Sequence, residues 1–162
     1  METEKINPIK RNEALIKFSK EHHYGLLLGW KVKQGVKKNV KPKRIADYIL
    51  YFFDNDLKNH FAEEERILFS KLSDADSLKQ QALSEHKNIY DLIETIRNEK
   101  YTGDTLITFA DNLENHIRFE ERVLFNHIQR ILSEEELLEV LTSHENKTVD
   151  IDGNWNDCFW ES

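Results

Sequence analysis

The chain has 162 residues, 33% of them charged, with five glycines, two prolines and a formal net charge of −7. That length suits one domain with a substantial core, and the charged, glycine-poor composition favours a helical fold over a loop-rich or β-rich one. The acidic balance speaks against general nucleic-acid binding, which leaves a basic footprint. The one cysteine, Cys158, excludes an internal disulfide and a thiolate-based metal site.

The opening stretch METEKINPIKRNE lacks the apolar core of a signal peptide. No run approaches the ~20 apolar residues of a membrane span. The expectation is a soluble cytoplasmic protein with no membrane or nucleic-acid partner. Pro8 and Asn12 precede the first helical pattern, in which Leu15, Phe18, His22, Gly25, Gly29, Val32 and Val36 follow 3–4 spacing. A first helix is predicted over about 10–36. Gly25 and Gly29 weaken it by roughly 1 kcal/mol each relative to alanine. They lie one and two turns beyond His22, where they either open a pocket or admit a bulky neighbour.

Residues 31–44 carry seven basic side chains and no acid. They read as a solvated helix end and loop, with a docking patch for an acidic partner as the alternative. Pro42 sits where a helix can begin. From about 43 to 72 the stripe Leu50, Phe53, Leu57, His60, Glu64, Ile67 continues unbroken. Ser73–Asp76 is a short connection rich in N-cap residues. A third helix is predicted over about 75–99, with Leu83, His86, Ile89, Tyr90 and Ile93 inward. Tyr101–Asp104 reads as a turn with Gly103 closing the helix before it. A fourth helix, about 104–131, carries Leu106, Phe109, Leu113, His116, Glu120 and Val123. Ser133 and Glu136 form a capping box that opens a short fifth helix ending near 144. The tail has no clear period, but Trp155, Phe159 and Trp160 suit packing on the bundle more than a partner-binding motif.

The fold class expected from this pattern is all-α: an antiparallel up-down-up-down four-helix bundle with a short fifth helix and a C-terminal tail. Residues 1–145 are assigned to the bundle, and residues 146–162 to an aromatic-containing tail packed on it or extended.

The second and fourth helices repeat one another. Residues 50–69 laid over 106–125 agree at ten of twenty positions, among them His60/His116, Glu64/Glu120 and Glu65/Glu121. In a helix i and i+4 share a face, so each His-x-x-x-Glu sets an imidazole and a carboxylate side by side on the apolar stripe. At a rise of ~1.5 Å per residue, His60, His86 and His116 fall level in the bundle, and His22 lies near them. Uncompensated burial of such groups costs several kcal/mol. Four imidazoles and two carboxylates in one layer therefore point to bound metal. The set suits Fe, Mn or Zn and exceeds the four ligands of a structural zinc site. Two irons bridged by both carboxylates and an oxo or hydroxo group use all six side chains.

His22, His60-x-x-x-Glu64, His86 and His116-x-x-x-Glu120 resemble the pattern of the hemerythrin-like, HHE cation-binding family, over roughly residues 10–131. The resemblance implies a non-heme di-iron centre in a four-helix bundle, binding O₂ or responding to oxygen, iron or redox state. It also implies a small ligand such as O₂, peroxide, NO or an azide-like anion. Where oxygen-carrying hemerythrins place a second histidine four after the first in the third helix, this chain has Tyr90, which reads as core or as an alternative ligand. Those carriers also place the fourth-helix carboxylate five after the histidine, which makes Glu121 the alternate to Glu120. These departures turn the expectation from plain oxygen carriage towards sensing or iron handling. Peroxide or NO consumption by an enzyme, and a metal-gated regulatory module, are the alternatives. On the first helix His22, on the apolar stripe, is preferred to His23. His127 and His144 fall outside the repeat and read as surface or satisfied residues.

Overall fold

The computed structural model describes residues 10–144 and 152–161. Residues 1–9, with Pro8, and the linker 145–151 lie outside the described residues. The described chain is helical, with no strand among its residues.

Helix α1 spans Glu13–Lys37, and the Asn12 side chain accepts the Ala14 N–H at its start. Helix α2 is one long rod of varying pitch. It opens with Pro42–Phe52, passes a π-turn at Phe53–Leu57, an α-helical Lys58–Glu63 and a second π-turn at Glu64–Leu68, and closes in a 3-10 turn at Phe69–Lys71. Helix α3 spans Ser77–Arg97 behind an Asp76 cap. Helix α4 runs Gly103–Phe119, through a π-turn at Glu120–Leu124, into Phe125–Ile131. Helix α5, Glu134–Ser143, has the expected capping box of Ser133 and Glu136. α4 packs along α1 and α3, and α5 lies against α1 and the Glu64–Leu68 turn.

The helix ends depart from the expected pattern at one place. Gly103 opens α4 behind the Thr102 cap and does not close α3. α3 ends earlier, at Arg97, and the left-handed position belongs to Glu99 (φ 60°). The Lys100 N–H reaches back to the Thr95 carbonyl there, which closes the last turn. α1 ends alike, at Asn39 (φ 57°) with the Val40 N–H on the Gly35 carbonyl.

Two apolar clusters fill the bundle. One contains Leu28, Val32, Ile49, Phe53, Ile93 and Phe109; the other contains Leu15, Phe18, Leu68, Phe125, Ile128 and Val140. Along each of α1, α2 and α4 the histidines and glutamates fall between them. Val123, expected inward, is 43% exposed. The π-turn at Glu120–Leu124 adds a residue to that turn, so the next buried positions are Leu124 and Phe125.

The tail aromatics pack on α1 and α2. Trp155 stacks on Tyr51 with ring centroids 4.7 Å apart, and Phe159 is buried against Tyr48. Gly35 makes this approach possible, because a Cβ there would stand 2.8 Å from the Phe159 ring. Much of the basic segment makes contacts within the chain. Lys31 is buried with its ammonium 4.0 Å from the Trp160 ring centroid. Lys33 pairs with Asp111 and Glu114, Lys43 with Asp47, and Arg44 with Asp157; Lys38 donates to the Trp160 carbonyl.

Candidate metal centre

His22 on α1, His60 and Glu64 on α2, His86 on α3, and His116 and Glu120 on α4 are all buried. Their side chains converge on one point of the bundle. Glu64 Oε1 lies 3.2 Å from His60 Nε2 and 3.4 Å from His86 Nε2. His22 Nε2 lies 3.8 Å from Glu64 Oε2 and 3.7 Å from Glu120 Oε1. His116 Nε2 meets Glu120 Oε1 at still closer range. The four Nε2 atoms and the four carboxylate oxygens all lack a hydrogen-bond partner among the described residues.

Eight buried polar atoms aimed at each other without hydrogen bonds are what a cation site presents and what a hydrogen-bonded core avoids. The donors divide into two groups, each compact enough to hold one ion: His22, His60, Glu64 and Glu120, and Glu64, His86, His116 and Glu120. Both carboxylates belong to both groups. A carboxylate with two oxygens can join two ions, so the residues fit a dinuclear centre with two imidazoles on each side.

The outward nitrogens face a ring of acids. His22 Nδ1 donates to Glu121 (2.7 Å), His116 Nδ1 to Glu85 (2.8 Å) and His60 Nδ1 to Glu21 (3.3 Å); Glu65 lies 3.8 Å from His86 Nδ1. Such partners fix the ring so that Nε2 points at the metal and raise its basicity. They are arranged with near-twofold symmetry. Glu21 precedes His22 and serves His60, as Glu85 precedes His86 and serves His116. Glu121 follows Glu120 and serves His22, as Glu65 follows Glu64 and faces His86. Glu121, marked by the sequence as the alternate to Glu120, lies outside the cluster as the partner of His22 Nδ1; Glu21, Glu65 and Glu85 are not singled out by the helical spacing. The signal was present in the doublets Glu21-His22, Glu85-His86, Glu64-Glu65 and Glu120-Glu121.

The electrostatics follow from this packing. Burial opposes charge on His60, but Glu64 and Glu21 outweigh it and raise its pKa to about 10. Burial likewise disfavours charge on His116, while Glu120 and Glu85 carry it up to about 9. His22 is raised well above its ordinary value against its burial by Glu120, Glu121 and Glu64. Glu21, against a burial effect of opposite sign, is pulled down to about 2 by His144 and His60.

His23 is exposed and lies beside Tyr24. Tyr90 is half-buried, edge-on to Phe53 and Phe61, and burial pushes its phenol up to about 12. His127 is satisfied by Asp76 at 2.7 Å. His144 is buried with carboxylates at both nitrogens. A small cavity opens beside the His22/His60 half, lined by Glu21, Gly25, Asp56, Leu57, Phe61 and Ile117 as well as the two histidines. Gly25 lines this cavity, and a Cβ there would stand 2.8 Å from Ile117 Cδ1. The neighbour of Gly25 is aliphatic, not Tyr90 or a phenylalanine. At Gly29 a Cβ would stand 3.6 Å from the Ala110 carbonyl, an ordinary contact between α1 and α4.

Fold and site together define a helical bundle built around a candidate cation centre. The model of the hemerythrin HHE cation-binding domain matches residues 15–128, and the chain belongs to that family. No curated protein and no solved structure matches the chain. Among the described residues no helix is long and apolar enough to cross a membrane.

Proposed function

We propose that this chain is a cytoplasmic, hemerythrin-like di-iron protein that binds O₂ or responds to oxygen, iron or redox state. His22 and His60 would hold one ion and His86 and His116 the other, with Glu64 and Glu120 within reach of both. The carrying observation is the convergence of eight buried, partnerless donor atoms in two groups that share both carboxylates. Short connections at 38–41, 72–76 and 98–102 support an antiparallel up-down-up-down path for the four long helices.

Bound iron supplies redox change and coordination of a small ligand. The chain's own part is to orient and shield. Glu21, Glu85 and Glu121 hold three imidazoles in register, and Phe125 stacks on His22 while Phe61 stacks on His86, keeping water out. Two imidazoles and two shared carboxylates per ion leave room for a further small ligand, and Tyr90 stays a packing residue. Metal analysis and the visible spectrum of aerobically purified protein test this reading. About two irons per chain with charge-transfer bands of a bridged centre is the expected result. One zinc and no colour overturns it.

Asp56 favours a second reading. Its carboxyl lines the cavity beside His22 and His60, and burial raises its pKa to about 6. A carboxyl that can give a proton near neutrality serves peroxide or NO consumption and is not needed for binding alone. Under this reading Asp56→Asn slows peroxide turnover by ~10²-fold while azide binding persists. Equal turnover by both forms removes it.

A further inference from the structure

The near-twofold symmetry of the centre is broken by a residue beyond the segment the family model matches. His144 follows the last turn of α5, and its N–H bonds the Val140 carbonyl. The ring is buried and lies on Phe18 with centroids 4.0 Å apart. Nε2 stands 2.9 Å from Glu21 Oε1, and Nδ1 stands 2.7 Å from Glu63 Oε2. The other oxygen of Glu21 accepts from His60 Nδ1. Glu63 is the residue before Glu64. One imidazole at the end of α5 therefore lies at ion-pair distance from both the acid beside His60 and the Glu63 carboxylate next to Glu64, with hydrogen-bond geometry at neither nitrogen.

The other half has no such grip. Glu85, the counterpart of Glu21, is steadied from its own helix by Gln81 Nε2 at 2.9 Å. Phe119 stands at the position equivalent to Glu63 in the repeat. The triad Glu21–His144–Glu63 is compact enough to resemble a third cation site. However, its two carboxylates meet different nitrogens on opposite edges of the ring. The closest contacts set the imidazole as a bridge between the two acids.

We propose that His144 is a positioning residue of the metal centre: by holding Glu21 and Glu63 it fixes His60, so that docking of α5 sets how firmly the ion at His22 and His60 is retained. The inference rests on the dinuclear reading above. Its consequence is asymmetry. Loss of the clamp loosens one ion and spares the other, although the inner ligands of the two halves are alike.

The test is release of ferrous iron from the loaded full-length protein into excess chelator, followed in wild type and His144→Phe. Phenylalanine keeps a ring against Phe18 and removes both nitrogens. One of the two irons is expected to leave ~10-fold faster, the lower end for loss of an outer partner, with the second phase unchanged and the metal-free melting temperature held. Wild-type release in both phases overturns the proposal. So does equal acceleration of both with a fall in metal-free stability, which marks a packing role alone. If the phenylalanine variant does not fold, Glu63→Ala carries the test, because alanine removes the acceptor facing His144 Nδ1 and keeps the helix; selective acceleration supports the clamp and wild-type release overturns it. Wild-type protein that takes up fewer than two irons refutes the dinuclear reading itself, and the clamp falls with it.

Discussion

At the scale of single residues, each imidazole of the centre sits between an inner carboxylate and an outer one. That placement makes protons and metal ions competitors for the same four nitrogens. With pKa values of about 10 and about 9, His60 and His116 both carry a proton at pH 7 in the metal-free chain. A ligating imidazole must be neutral towards the ion. Metal uptake at pH 7 is therefore expected to expel about two or more protons per chain. Calorimetric titration with ferrous ion in two buffers of different ionisation heat measures this, and identical heats in both buffers would contradict it. Gly25 gives a second prediction at this scale. A leucine there must displace Ile117 and fill the cavity that both residues line. If that cavity admits the small ligand, Gly25→Leu lowers azide affinity by ~10-fold or more, a loss of ~1.4 kcal/mol. Unchanged azide binding by the iron-loaded variant sinks the pocket.

At the scale of elements, the π-turns decide which side chains face inward. Strict 3–4 spacing carries Val123 into the core, whereas the π-turn that begins at Glu120 leaves it exposed and buries Leu124. Val123→Lys should therefore stay within ~0.5 kcal/mol of wild type, and Leu124→Ala should cost ~2–5 kcal/mol. Denaturant unfolding of the two variants separates the registers, and the opposite order would restore the unbroken stripe. The His-x-x-x-Glu pairs were legible because they lie within single helical turns, where spacing alone sets the face. The helix count was legible for the same reason. The extra residue of a π-turn leaves no mark in composition or caps, so the register beyond Glu120 was not. Glu99 was missed as the left-handed residue because glycine attracts that assignment, and Gly103 stood four residues on. The outer acids pair across helices, Glu21 with His60 and Glu85 with His116, and no period along one helix reveals a partner on another. Gly35 went unremarked for a like reason, since its purpose is the Phe159 ring from the far end of the chain. Gly35→Ala brings that ring and Ile45 within 3 Å of the new Cβ. It is expected to cost ~1–3 kcal/mol by overpacking, beyond the ~1 kcal/mol that alanine returns to the helix. Faster proteolysis within the tail is the sign to look for, and an unaltered digest would place Phe159 elsewhere.

At the scale of the whole molecule, the charged layer lies between two apolar clusters, each with a buried aliphatic and aromatic set of its own. The metal-free chain should consequently remain folded, with a stability that follows pH. For His60 and His116 the folded values, about 10 and about 9, exceed the ordinary 6.5. Their contribution is complete below pH 6.5 and is lost as pH rises through 9 and 10. Glu21 runs the other way: its value falls from 4.5 to about 2, so its contribution is present above pH 4.5 and is lost towards pH 2. Metal-free stability should thus be greatest between these limits and decline on the alkaline side. A bound metal ion would take the place of the protons on the same nitrogens, so the loaded protein should not share that decline, and its affinity should grow as proton competition fades. The gap in melting temperature between loaded and metal-free protein is therefore expected to widen from pH 6.5 to pH 9. Scanning calorimetry of both forms across that range measures it, and a gap that stays constant would mean that the imidazoles are neutral in the metal-free chain.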